Sequence, residues 1–370
     1  MSTEKIANRQ LLFILFMMRT TIVISVLPVL TSVDALQDAW LSAIVSFFGA
    51  AAIVVVIGGL GIRFPKQTVV EYGEELLGPW LGKAVSLVFL WAFLHIAATD
   101  THVYASVIVI DFLAQTPLIL VIATMVTAAA VAAYKGIETI GRAADLLLPL
   151  FLLMIVGSLM VPLFEFPRGL ENLQPVLARG MGPVLRGSIT PIAIVAQYLV
   201  LTMLIPSTVS PKKTLRTALL ALAWASLILI PAAVAVIGIL GPVPGSEAFF
   251  PFFLMVRAIQ FSEFLERIEV LTIFAWGFGL FIGVSTFLFC GARGLSQVLG
   301  LKDYRPLVGP MAVIWIVLAF HHYTNIFQVG AFFQPQIVGA HTMAVTLIPF
   351  GLLWAAYGLR KLIGGGTDGT

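Results

Sequence analysis

Long apolar runs recur along the whole 370-residue chain, and they limit its possible folds more than any other feature. A helix needs about 20 apolar residues to cross a hydrocarbon core roughly 30 Å thick. Lipid offers the backbone no hydrogen-bond partners, so runs of this length indicate transmembrane helices. We predict ten spans, at about residues 10–33, 38–61, 84–114, 117–134, 143–164, 185–206, 217–240, 268–291, 308–327 and 339–358.

Composition supports an all-α polytopic membrane protein and excludes several function classes. Hydrophobic residues make up 60% of the chain and charged residues 11%, which no ordinary soluble domain matches. The one cysteine, Cys290, excludes an intramolecular disulfide. The net charge of +3 is not gathered in a basic patch with interleaved aromatics, so nucleic acid is not an expected partner. Phosphate loops, zinc-protease helices and nucleophile elbows are missing from the sequence, so we expect neither an enzyme nor a cofactor or metal.

The distribution of positive charge predicts the topology. With the N-terminus inside, most of the 21 lysine and arginine residues fall on inner segments, as in cytoplasmic loops. Ten spans then leave both termini in the cytoplasm. We expect residues 1–370 to form a single transmembrane domain that contacts membrane lipid. Its parts are a first half at 1–164, a second half at 185–358 and a short tail at 359–370.

Ten spans divide into two halves of five, and this predicts an inverted repeat. The first half starts inside, and because it has an odd number of spans the second half starts outside. Such repeats build a ligand site near the midplane from interrupted helices that begin each half. Span 1 contains "RTT" at 19–21 and Pro28, and span 6 contains "GSITPIAIVAQYLVLTMLIP" at 187–206. We therefore expect helices 1 and 6 to be interrupted.

Polar side chains near the middle of four spans are the candidate ligand-binding residues. An arginine at a bilayer centre costs roughly 2.5 to 3.5 kcal/mol and by default marks function. The candidates come from spans 1, 3, 6 and 8: Arg19, Thr20, Thr21, Asp100, Gln197, Tyr198, Ser285 and Thr286. Two interpretations of the charged residues stay open. Arg19 and Asp100 either face a watery cavity and hold a ligand or proton, or form a buried pair that fixes helix packing. In a third possibility Arg19 extends to the inner interface.

The histidines and the longer loops have simpler interpretations. His95 and His102 share a helix face and are expected to be hydrogen-bonded packing residues, with a proton relay as the alternative. His321 and His322 are expected at the outer interface. The inner loop from Arg63 to Lys83 has the apolar pattern of a surface helix.

Several stretches together resemble one family, the spore germination permeases that form the B subunit of germinant receptors. They cover nearly the whole chain: "NRQLLFILFM", "VLP" and "QDAW" within 8–40, "RFPKQTVVEYGEELLGPWLGK" at 63–83, "KGIETIGRAADLLLPLF" at 135–151, "LENLQPVLARGMGPVL" at 170–185 and "GLKDYRPLVGP" at 300–310. These permeases belong to the amino acid, polyamine and organocation transporter superfamily.

The resemblance implies a LeuT-like fold of ten helices in the inner membrane of a spore. It also implies a small-molecule germinant, such as an amino acid, and partner A and C subunits. By position, the family's interrupted first helix corresponds to residues 20–23, before Leu27 and Pro28, and the break in span 6 corresponds to 193–197. Its polar position in span 3 corresponds to Asp100. Gln197 stands where the family often has glutamate, which leaves Asp100 as the titratable candidate.

The sequence leaves rival functions open beside germinant sensing. One is a stand-alone secondary transporter of amino acids or amines. Another is an ion or water conduit whose pore the polar residues line. A membrane scaffold that binds no ligand is the remaining alternative.

Overall fold

The structure, a computed structural model, describes residues 4–25, 31, 33–165, 169–248, 250–258 and 269–363. This part of the chain is all-α. We number its helices α1 Asn8–Ser25, α2 Ala39–Gly61, α3 Val69–Leu77, α4 Pro79–Asp111, α5 Leu118–Lys135, α6 Ile137–Glu165, α7 Met181–Ala193, α8 Leu201–Leu204, α9 Thr214–Leu240, α10 Pro242–Glu247, α11 Pro251–Ala258, α12 Glu269–Val298, α13 Arg305–His321, α14 Ile326–Phe332, α15 Pro335–Thr342 and α16 Ile348–Ile363.

Short segments of other helix types join several of these helices. The 3₁₀ segments are Leu36–Asp38, Leu170–Leu173, Ile194–Val200, Ile205–Ser207 and Pro211–Lys213, and Met343–Leu347 is a π-helix. The described residues contain no strand, only an isolated parallel bridge between Ile6 and Thr208. π and 3₁₀ turns inside longer helices often mark functional positions.

Eight stretches within the described residues are long and apolar enough to cross a membrane: Val33–Gly61, Pro79–Asp111, Leu118–Lys135, Ile137–Met160, Met181–Ser207, Pro211–Leu240, Val270–Val298 and Pro335–Leu362. They correspond to predicted spans 2 to 8 and 10. Span 9 corresponds to a shorter apolar helix, Arg305–His321. Span 1 corresponds to α1, after which residues 26–30 lie outside the description, together with Leu27 and Pro28 of the predicted interruption.

The stretch "RTT" does not interrupt helix 1, contrary to prediction. α1 continues as α-helix through Arg19, Thr20 and Thr21 to Ser25. A side-chain hydrogen bond within the helix contributes, since Thr21 Oγ1 donates to the Met17 carbonyl at 2.7 Å. A hydroxyl bonded in this way needs no partner outside the helix, so the polar triplet remains compatible with α-helix in lipid.

The predicted helix of the inner loop is present as α3. It begins with a capping box, in which the Thr68 hydroxyl accepts from the Glu71 backbone and the Glu71 carboxylate accepts from the Thr68 backbone. Two backbone N–H groups at the helix start are thereby satisfied. Val69, Val70, Tyr72 and Leu76 are buried on the face that packs against the bundle.

Two spans form the centre of the bundle. The apolar window of Met181–Ser207 is 89% buried and that of Val270–Val298 is 78% buried, whereas the other six are at most half buried. Helices α1 and α12 pack directly on each other. The approach is close at Gly279, where a Cβ would overlap Thr21 Oγ1 and lie 3.0 Å from the Met17 carbonyl oxygen.

This close approach predicts that Gly279→Ala lowers the stability of the protein by about 1 to 2 kcal/mol, because an added methyl must push α1 away from α12. Gly283→Ala, one turn further along, is the matched control. A Cβ there lies 3.5 Å from Met18 Cγ, an ordinary contact, and alanine is the better helix former. Thermal unfolding of the two variants in one detergent measures the difference. Equal stability would mean that the two helices are not packed this closely.

Candidate functional site

The central span Met181–Ser207 changes helix type in the middle of the bundle. α7 contains Pro191, which has no N–H to donate, and the chain passes into the 3₁₀ segment three residues after it, at Ile194. All seven residues of the segment, 194–200, are buried. The predicted break of helix 6 at 193–197 is therefore present, as a change of helix type rather than as an unwound loop.

One predicted pair of site residues meets at this break. The Gln197 amide Nε2 donates to Asp100 Oδ2 at 2.9 Å, which joins the 3₁₀ segment to α4. Gln197 is 2% exposed, and its Oε1 has no hydrogen-bond partner in the protein. Buried polar atoms are rarely left in this state. The pair therefore offers a carboxylate and an unused amide oxygen, both acceptors, at one place in the membrane interior.

A narrow cavity lies against this pair. Its volume is about 30 Å³. One water molecule needs about 10 to 15 Å³, so the cavity has room for two or three waters. Polar groups of α4, the 3₁₀ segment and α15 line it together with apolar ones, and its wall includes His95, Thr99, Asp100, Gln197, Phe332, Phe333, His341 and Thr342. In this conformation the cavity has no room for a molecule as large as an amino acid.

Arg19 lies apart from this cavity and does not pair with Asp100. Among the described residues, no ion pair or hydrogen bond joins the two side chains. Arg19 Nη2 instead donates to the Pro191 carbonyl at 2.6 Å, while Nη1 has no partner. The side chain is 2% exposed, so it does not extend to the inner interface. The predicted structural pair and the interfacial arginine are both wrong.

The remaining predicted site residues are buried away from the cavity wall. Thr20 Oγ1 has no partner, and the Tyr198 hydroxyl donates to the Leu15 carbonyl at 3.4 Å. Ser285 and Thr286 donate to carbonyls of their own helix α12, at 2.6 and 2.7 Å. The structure thus divides the predicted set. Asp100 and Gln197 line the cavity, and the others lie in α1, at Tyr198 of the 3₁₀ segment, or in α12.

Side chains from two other spans bond the backbone at the break of the central span. Arg19 of α1 holds the carbonyl of Pro191, and the Thr342 hydroxyl of α15 donates to the carbonyl of Ala193 at 3.0 Å. Irregular backbone in a membrane persists where neighbouring spans satisfy it. Arg19 therefore connects helix 1 to the break, which accounts for an arginine in the middle of an apolar helix.

Sequence reasoning missed a cluster of imidazoles beside the cavity. The ring of His95 lies 4.5 Å from that of His341 and 4.6 Å from that of His322, between centroids. His322 is therefore a packing neighbour of His95 and not simply an interfacial residue. His102, by contrast, is a hydrogen-bonded packing histidine as predicted, with Nδ1 donating to the Ala319 carbonyl at 2.8 Å. Among the described residues, no group of three or more His, Cys, Asp or Glu is placed to hold a metal ion.

A second and larger cavity lies at the C-terminal end of the central span. Its volume is about 450 Å³, and it lies where the central span ends at Ser207. Arg293 donates to the Ser207 hydroxyl at 2.6 Å, and Arg305 pairs with Glu4 at 3.2 Å. Burial raises the pKa of Tyr304 to about 12, so its phenol stays a donor to the Ala133 carbonyl. Tyr198 to Ile205, all buried, separate this cavity from the Asp100 cavity.

Sequence comparisons match most of the chain to spore germination proteins. A family model described as "Spore germination protein" matches residues 5–326. Spore germination protein KB of Bacillus subtilis is 26% identical over 292 residues, 78% of each chain. Spore germination protein YndE of the same organism is 24% identical over 317 residues, 85% of this chain and 87% of its own. Spore germination protein A2, also from Bacillus subtilis, is 23% identical over 283 residues.

Solved transporter structures share the fold. The crystal structure of MhsT in complex with L-phenylalanine aligns with a TM-score of 0.66 and 14% identity, over 96% of this chain and 99% of that one. Mhp1, a nucleobase-cation-symport-1 family transporter, in a closed conformation with bromovinylhydantoin bound, aligns with a TM-score of 0.63 and 12% identity, over 98% of this chain and 80% of that one. At these identities the likeness establishes the fold and nothing further.

Proposed function

The chain belongs to the spore germination permease family, and from this premise we propose that it is the membrane-embedded sensing subunit of a spore germinant receptor. It is a multi-pass integral membrane protein of spore germination with a transporter fold, and it is not an enzyme. In this proposal it acts as the B-type subunit with A and C partner subunits. It lies in the inner membrane of the spore with both termini in the cytoplasm, and its ten spans form two inverted halves.

The proposed ligand is a small polar molecule, most simply an amino acid, bound in the Asp100 cavity. The single observation that carries this proposal is the bond between Asp100 and Gln197 at a helix break deep in the bundle, beside a cavity. The Asp100 carboxylate is placed to accept from a ligand ammonium, and Gln197 Oε1 offers a second acceptor. A charged group in a membrane interior is retained where it serves a ligand or ion.

The signal, in this proposal, is a change at the break of the central span. Three elements meet there: α4 through Asp100, α1 through Arg19 and α15 through Thr342. A ligand that bonds Asp100 and Gln197 better in one arrangement of the break than in another shifts the population toward that arrangement. The shift moves α1 and α15 relative to the central span, and the partner subunits respond to it.

Thermal unfolding of the purified chain against separate amino acids, sugars and nucleosides tests the proposal. A ligand at about 100 times its dissociation constant stabilises by about 2.7 kcal/mol, which is readily measured. We expect one chemical class, the amino acids, to raise the unfolding temperature. The same panel is repeated on the chain purified with its A and C subunits. Absence of any shift in both preparations would contradict ligand sensing by this subunit.

Secondary transport is the second candidate, because a second cavity lies beside Ser207 at the end of the central span. The two cavities lie on either side of residues 198–205, the geometry in which an alternating-access carrier holds its substrate. Uptake of a labelled amino acid into vesicles that contain this chain alone would favour transport. Binding without uptake favours a sensor.

A further inference from the structure

Three histidines from separate parts of the chain lie together, and two of them, His95 and His341, line the Asp100 cavity. His95 comes from α4, His322 follows α13, and His341 belongs to α15. Their rings contact one another around His95, at 4.5 and 4.6 Å between centroids. Phe332 closes the group, with its ring 5.1 Å from that of His95. Packing alone would not require imidazoles here, because apolar rings fill such volume without polar atoms to satisfy.

Two imidazole nitrogens in this group have no partner in the protein. His95 Nδ1 and His341 Nε2 are both enclosed and lack hydrogen bonds, and the His95 side chain is 9% exposed. His102 on the same helix is different, since its Nδ1 bonds the Ala319 carbonyl. Buried nitrogens without partners carry a free-energy cost that a bound ligand would remove.

The two histidines with unpartnered nitrogens line the same cavity as Asp100 and Gln197. His95 and Asp100 are five residues apart on α4, an axial rise of about 7.5 Å at 1.5 Å per residue. That separation accommodates two charge-assisted hydrogen bonds of about 2.8 Å each with a short molecule between them. The cavity wall therefore contains potential donors, at His95 and His341, and a carboxylate acceptor, at Asp100.

We propose that His95 and His341 hold the carboxylate of a zwitterionic ligand whose ammonium group is held by Asp100, so that the ligand is a small α-amino acid. This inference rests on the proposed function, since it assigns the other end of the same site. Arg19 is not available for the carboxylate, because its guanidinium lies against the Pro191 carbonyl. The narrow cavity favours the smallest side chains.

The test compares an amino acid with its two fragments on the full chain in lipid nanodiscs. The probes are L-alanine, ethylamine and propanoate, and as a larger set L-valine, 2-methylpropan-1-amine and 3-methylbutanoate. For the wild-type chain we expect at least one amino acid to bind 10-fold or more tightly than its amine. His95→Phe and His341→Phe should each bring the ratio close to one.

The matched control is His321→Phe, because His321 is exposed at the end of α13 and does not line the cavity. The ratio compares probes on one protein, so a general loss of stability does not imitate the effect. Two results would overturn the proposal: equal affinity of amine and amino acid for the wild-type chain, or an unchanged ratio in both histidine variants. If Asp100→Asn still abolishes binding in those cases, the proposed function stands and the histidine assignment alone is wrong. If no probe binds the wild-type chain, both proposals fail.

Discussion

Asp100→Asn is expected to weaken ligand binding about 100-fold while leaving the fold intact. Asparagine has the same shape and retains an oxygen that accepts from Gln197 Nε2, so the bond between α4 and the central span survives. It removes the negative charge that the ligand ammonium needs. Losing one charge-assisted bond in a buried site costs about 2 to 3 kcal/mol, and 1.4 kcal/mol corresponds to a tenfold change in affinity. Titration calorimetry of the purified chain measures the change.

Asp111→Asn provides the control for charge removal on the same helix. Asp111 lies at the C-terminal end of α4, where it pairs with Arg257 at 3.3 Å across a partly exposed contact. Exposed pairs of this kind are worth about 0 to 1 kcal/mol, and we expect ligand affinity to remain within twofold. Equal affinity of Asp100→Asn and the wild-type chain would remove Asp100 from the site.

Arg19→Met is expected to stabilise the protein by about 1 to 3 kcal/mol and to abolish its ligand response. The guanidinium is 2% exposed, and among the described residues it has no ion-pair partner, only the Pro191 carbonyl. Desolvation of one buried ion costs several kcal/mol, whereas a hydrogen bond to a charged group returns about 1.5 to 3 kcal/mol. Methionine fills similar volume without that cost. The response is lost because α1 is no longer bonded to the break of the central span.

Arg142→Met serves as the comparison, because Arg142 is 74% exposed and pairs with Glu138 one turn away. Such helix pairs contribute about 0.3 to 0.5 kcal/mol, so this change should leave both stability and response nearly unaltered. Thermal unfolding gives the stability of each variant, and germination of spores that carry it gives the response. A less stable Arg19→Met protein that still responds would refute our assignment of Arg19. A gain in stability at the expense of function is typical of functional sites.

The positions of the spans were largely predictable, because helix length and hydropathy follow from the thickness of the bilayer. The break in the central span was also predictable, because Pro191 removes a backbone donor in the middle of an apolar helix. The break predicted at "RTT" failed because Thr21 bonds a carbonyl of its own helix. A sequence pattern does not distinguish a threonine that needs an outside partner from one that is already satisfied.

The composition of the site was only partly predictable. Asp100 and Gln197 stood out as polar residues in apolar spans. Both lie near the middle of their predicted spans, so they were expected at the same depth in the membrane. His341 gave no such signal, because it lies near a span end where polar residues are common. Its contact with His95 joins positions 246 residues apart, and the packing of α15 against α7 and of α14 against α4 brings them together. Arg19 and Asp100 were expected near the same depth in the membrane, but they do not meet. Depth does not determine the direction in which a side chain points from its helix.

The small volume of the Asp100 cavity has a consequence for timing. A site with room for only a few water molecules admits no nutrient until neighbouring side chains rearrange, so the frequency of opening limits how fast it fills. Above a certain concentration, additional nutrient then no longer shortens the wait. Under the proposed function, a dormant cell with this receptor ignores a brief pulse of nutrient, which passes before the site opens, and responds to a supply that lasts.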